Sequence, residues 1–130
     1  MNLALRSDTD DAAIYLLDDE GVVVAEQCWS AGRKLSQDLL PTAESLLQTH
    51  GIGWADVRGV VVYTGPGSFT GLRIGVAVAN TIAYSRQVPV VGSSGQDWIQ
   101  DGITQLPQAA LGVYITPNYG RDASTTRPKK

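Results

Sequence analysis

Few residues in this chain could do chemistry, and none stands in a convincing catalytic arrangement. The only histidine, His50, and the only cysteine, Cys28, stand alone, whereas a metal centre needs clustered His, Cys, Asp or Glu. No serine sits in the G-x-S-x-G turn that would aim a nucleophile, since "GPGSF" reads G-x-G-S-x. The cluster Asp8, Asp10 and Asp11 has magnesium-binding side chains but reads as an exposed acidic turn. The segment richest in chemical potential is "YTGPGSFTGLRIG", residues 63–75, a glycine-rich corner after a β-branched run. There Gly65, Gly67, Ser68 and Thr70 could offer backbone amides to an anion at a helix start. Spacing speaks against a nucleotide loop. A Walker pattern from Gly65 needs glycine where Thr70 stands, and no lysine occurs between Lys34 and Lys129. The pattern G-x-G-x-x-G fails at the same position. A structural strand-to-helix turn and an anion contact therefore both stay open.

The elements around this corner are legible. "NLALR", "AAIYLLD" and "GVVVAEQCW" read as three strands, the last two a hairpin turning at Gly21. Cys28 lies in the third, where burial of the thiol is expected. Leu35, Leu39, Ala43, Leu46 and Leu47 then recur at helical spacing, with Ser36 a candidate cap and Gly51 a candidate stop. Pro41 predicts a kink or a later helix start near Leu39. "VRGVVVYTG" reads as a strand covered on both faces, residues 70–86 as a helix, "VPVVG" as a strand, "SSGQDWIQDGITQL" as a short helix. "ALGVYITP" reads as a final strand or extended segment. A strand meander followed by strand–helix alternation predicts an α/β fold, a mixed sheet of about five strands flanked by helices. Residues 1–115 form one domain in this reading, and 116–130 a basic tail.

The helix after the glycine corner is the most informative element. Gly71, Gly75, Ala79 and Ala83 make a stripe of tiny side chains at four-residue steps, suited to close backbone approach. Leu72, Ile74, Val76, Val78 and Ile82 cover most of the remaining circumference, with Arg73, Asn80 and Tyr84 as the polar strip. Such a helix predicts a second cover, either the neighbouring helix or another protein. Arg73 opposes the helix dipole in the first turn, which an anionic ligand or a carboxylate could offset.

Composition narrows the class. Of 130 residues 43% are hydrophobic and 18% charged, as in a globular domain. Arg121, Arg127, Lys129 and Lys130 concentrate in the last ten residues, leaving six basic against twelve acidic residues before them. That body is no nucleic-acid binder by charge, although the tail could touch RNA. A lone cysteine, no basic leader and no long apolar run predict a cytoplasmic protein without disulfides or membrane spans.

"YTGPGSFTGLRIGVAVANTIAY" followed by "VPVVGSSG" closely resembles the first lobe of the TsaB family, also called YeaZ. "LSQDLLPTAESLL" resembles that lobe's first helix, and "TPNYGRDA" the family's closing P-x-Y-x-R stretch. The resemblance covers about residues 1–98 and implies a single actin-like, RNase-H-like lobe. It implies a non-catalytic subunit of the machinery that makes threonylcarbamoyladenosine in tRNA, without cofactor or metal. The implied partners are the catalytic subunit TsaD, as a heterodimer through the first-lobe helices, and the ATPase subunit TsaE. A homodimer through the same helices stays open, and tRNA would be met indirectly or through the tail. The interface residues expected are Leu39, Ala43 and Leu46 with Gly71, Arg73, Ile74, Gly75, Val78, Ala79 and Ile82. On that expectation Gly75→Leu abolishes association and leaves the fold intact. The alternative is a small phosphate- or nucleotide-binding protein using the loop from Gly65 to Gly71. Two departures stand out: Arg6 replaces the aspartate that usually ends the family's first strand, and the second lobe has no counterpart in these residues.

Overall fold

The computed structural model describes residues 1–116; the basic tail from Pro117, with the closing stretch, lies outside them. Five strands form one mixed sheet: β1 (Asn2–Arg6), β2 (Asp11–Leu17), β3 (Val23–Ser30), β4 (Gly59–Tyr63) and β5 (Val90–Ser93). Three helices join them: α1 (Leu35–Thr49), α2 (Phe69–Arg86) and α3 (Trp98–Gln105). The sheet order is β3-β2-β1-β4-β5, antiparallel from β3 to β1 and parallel from β1 to β5. The hairpin between β2 and β3 forms for a local reason. The Asp18 carboxylate accepts from the amides of Glu20 and Val22, both at 2.9 Å, while Gly21 takes a φ of 86°.

Period-two alternation divides the core between the two faces of the sheet. Leu3, Leu5, Ile14, Leu16, Val60 and Val62 face α1 and α2, meeting Leu39, Leu47, Val76, Ala79 and Ile82. Ala4, Leu17, Val61 and Tyr63 face the other way, toward Trp98 of α3 and Leu106. Every residue of β4 is buried, as its β-branched run predicts. Among the described residues no helix is long and apolar enough to cross a membrane.

Two local expectations, for Ser36 and Cys28, are corrected, and two that left alternatives open, for Pro41 and the last segment, are narrowed. Ser36 does not cap α1: a 3-10 turn over 32–34 leads into the helix, and Lys34 stands at the cap without a side-chain bond. Pro41 lies inside α1 rather than delaying it. It and Gln37, whose carbonyl loses its partner, are both solvent-exposed, so water can take the bond. Cys28 is exposed, because β3 is the sheet's edge and this side chain lies off the α1 face. The segment 109–116 adds no sixth strand. Instead the Asn80 side chain brackets Ile115, donating to its carbonyl at 3.2 Å and accepting from its amide at 3.1 Å.

Adjacent leucines in α1 test this layering. Leu39 is fully buried and Leu40 is 41% exposed. Leu39→Ala is expected to cost about 2–5 kcal/mol in urea unfolding, and Leu40→Ala no more than about 0.5 kcal/mol.

Candidate functional site

The glycine corner is built against the end of β1. Ser68 caps α2, its Oγ accepting from the Gly71 amide at 3.3 Å, and its own amide donates to the Asp8 carbonyl at 2.9 Å. Tyr63 Oη donates to the Pro66 carbonyl at 3.2 Å. Gly65 has a φ of 114°, a value that excludes a larger residue. Gly67 backs onto Asp8 so closely that a Cβ there would strike the Asp8 side chain. Asp8 is therefore not part of an exposed acidic turn. Its carboxylate is nearly buried and gripped by Arg6, Nε to Oδ1 at 2.7 Å and Nη2 to Oδ2 at 3.1 Å. The guanidinium also lies 4.1 Å over the Tyr63 ring. The hydrogen bond to Asp8 outweighs burial and holds the Arg6 pKa above its ordinary value.

This packing bears on what the loop can bind. Of its amides, those of Ser68 and Gly71 are already bonded within the chain, and the Asp8 backbone and Cβ stand behind Gly67. Ser68, Thr70 and Gly67 are exposed and Gly65 is buried. Among the described residues no group of three or more His, Cys, Asp or Glu comes together around a metal position.

The expected interface residues divide. Leu39, Ala43, Leu46 and Ile82 lie in the chain's own core. The stripe of small residues turns inward too. Gly71 presses on the Ser7 carbonyl and Gly75 on Ser7 Oγ, while Ala79 is fully buried beneath them. These seven positions, Gly71, Gly75 and Ala79 included, pack within the chain, and of them Ile82 also lines the groove between α1 and α2. Ile74 and Val78 are half-buried, and Arg73 is exposed. The helix is not apolar all round, because Thr70, Ala77, Thr81, Ser85 and Arg86 widen its wet side. Missed in the sequence is a groove of about 220 Å³ between α1 and α2, lined by Leu40, Glu44, Trp54, Thr81, Ile82, Ser85 and Arg86. Its one sequence signal is Leu40, an apolar residue off the α1 core face.

Comparison with known proteins now carries weight. The family model described as "TsaD: tRNA N6-adenosine threonylcarbamoyltransferase" matches residues 21–114. The chain is 31% identical to the tRNA threonylcarbamoyladenosine biosynthesis protein TsaB of Escherichia coli (strain K12), over 92% of this chain and 55% of that protein. It is 36% identical to the TsaB of Bacillus subtilis (strain 168), over 68% of this chain and 38% of that one. The structure of YeaZ from Pseudomonas aeruginosa superposes with a TM-score of 0.65 and 33% identity, covering 72% of this chain and 44% of YeaZ. The chain belongs to the TsaB/YeaZ family, within the wider family that the model describes.

It spans about half the length of these TsaB relatives. The actin-like character of the sheet, expected from resemblance, is thereby shown. At the TsaB position where an aspartate was expected, Arg6 closes onto Asp8.

Two outcomes follow. Gly75→Leu, and to a lesser extent Gly75→Ala, is expected to yield unfolded or strongly destabilised protein by circular dichroism, because Ser7 occupies the space of the new Cβ. The Cys28 thiol is raised in pKa, first by desolvation and then by Glu26, whose Oε2 lies 3.5 Å away. Glu26→Gln removes the raising charge, so thiolate forms at lower pH and alkylation near pH 8 is expected to accelerate.

Proposed function

We propose that this chain is a non-catalytic scaffold subunit that pairs with the catalytic subunit TsaD and supports formation of threonylcarbamoyladenosine in tRNA. The observation that carries the reading is the groove between α1 and α2, on a lobe whose relatives are named TsaB. Leu40, 41% exposed, stands in its wall, with Trp54 and Ile82 also lining it. Glu44 from α1 and Arg86 from α2 add charge of both signs. Apolar surface framed by polar groups is what a helix of another protein can bury. Ile74 and Val78 extend this side along α2, toward its start. Arg73 points elsewhere, as its contact with Phe69 indicates. In this reading TsaE joins the assembly of the two subunits, and tRNA is met through TsaD or the basic tail.

The phosphate-binding alternative is disfavoured because the Ser68 and Gly71 amides of the loop are already bonded within the chain. Homodimerisation has one observation in its favour. With Glu44 and Arg86 in one groove, a two-fold axis could set each acid against the partner's base.

Light scattering after size exclusion, on the chain alone and mixed with TsaD from the same source, tests the proposal. A one-to-one complex is expected, lost in Leu40→Arg and Thr81→Arg, both of which place charge in the groove without touching the core. A complex indifferent to both substitutions, or none with the unaltered chain, overturns it.

A further inference from the structure

The two edges of the sheet differ in what stands beside them. Next to β5 runs the segment 109–116, with Ala109 packed on the Trp98 side of the core and Ile115 on the α2 side. Among the described residues no strand pairs with the outer edge of β3. That edge strand is eight residues long and contains no proline and one charged residue, Glu26. Val22, Val23 and Val24 at its start are 55%, 41% and 48% exposed. Proteins blunt a free edge with proline, charge or a cover, and a long edge without them is a template for a further strand.

The register shows which backbone groups are on offer. The Ala31 amide donates to the Asp10 carbonyl at 2.8 Å, in line with the pairing of Ser30 with Asp11. Antiparallel bonding alternates along a strand, so Ala25, Gln27 and Trp29 direct their backbone groups to β2. Glu26, Cys28 and Ser30 turn theirs outward.

Charge identifies the occupant. The turn before β3 carries Asp19 and Glu20, and the turn after it carries Arg33 and Lys34, all four exposed. Asp19 also holds the N-terminal ammonium at 3.1 Å, which leaves Glu20 as the acid facing outward. A second β3 laid antiparallel brings acid to base at both ends, whereas a parallel one sets like charges together. A two-fold axis at Cys28 lets every outward residue meet another: Cys28 faces its own copy, and Glu26 faces Ser30 of the other chain.

We propose that β3 joins a second copy of this chain, antiparallel across a two-fold axis at Cys28, so that two sheets become one. This contact is separate from the groove between α1 and α2 and does not rest on what binds there.

Sedimentation velocity of the whole chain over a range of concentrations, with a thiol reductant, tests this. A dimer is expected, weakened about tenfold in Lys34→Glu and restored in the double variant Glu20→Lys, Lys34→Glu. Both side chains are exposed, so loss of the fold does not mimic loss of the dimer. Leu40→Arg is expected to leave the dimer unchanged. Without reductant, diamide takes the two thiol hydrogens from the facing pair and is expected to leave a Cys28–Cys28 disulfide. Opposed residues of a bonded pair stand about 5.5 Å apart, within a disulfide's reach. Monomer at every concentration, a dimer indifferent to Lys34→Glu, or no recovery in the double variant overturns the proposal. So does a dimer lost in Leu40→Arg, which would place the contact in the groove. Binding of TsaD is read separately, so either idea can fail alone.

Discussion

The close approach of α2 to the end of β1 is the constraint on which the remainder depends. Gly71 and Gly75 leave no room between the helix and Ser7, whose hydroxyl donates to the Gly71 carbonyl at 2.8 Å inside a fully packed site. That contact sets the depth of α2 on the sheet. It also brings the glycine corner against Asp8, and the Arg6 pair and the Tyr63 contacts complete the corner. What looked like a ligand loop is thus a joint between a strand and a helix. Its glycines admit the chain's own backbone and the Ser7 and Asp8 side chains. The surfaces that α2 leaves for other molecules are those it turns away from this joint.

Those surfaces explain how a catalytically sparse lobe can be informative about function. Helix α2 has an inward face of small and branched residues, a side shared with α1, and a flank of aromatic residues around Arg73. The inward face concerns stability alone. The proposed scaffold role needs the side shared with α1 to be firm, and the joint at Ser7 fixes the helix along its first half.

Much of the architecture could be read from local patterns. The β-branched run of β4, the leucine spacing of α1 and the turn at Gly21 each express a short-range preference that the tertiary structure respects. The errors came where partners are distant in sequence. Nothing near residues 71–79 reveals that Ser7 will meet them, so a stripe of small residues reads equally as a seat for another protein. Cys28 looked buried because its neighbours are apolar, but burial depends on β3 being an edge strand. Ser36 lost its role to a 3-10 turn that positions the helix start earlier. The groove was invisible for the same reason: Leu40 and Thr81 belong to different helices, and only packing brings them together.

The strand order carries a consequence for how the chain acquires its structure. β1 pairs with β2 across a short loop, and β3 follows at once, so half the sheet can zip from neighbours in sequence. The opposite edge of β1 has no such neighbour. It waits for β4, which lies beyond the whole of α1 and pairs in parallel. As the chain leaves a ribosome, Leu3 and Leu5 therefore sit in a strand open along one side until Tyr63 has emerged. That interval, set by topology rather than by stability, is when this lobe is most exposed to wrong partners.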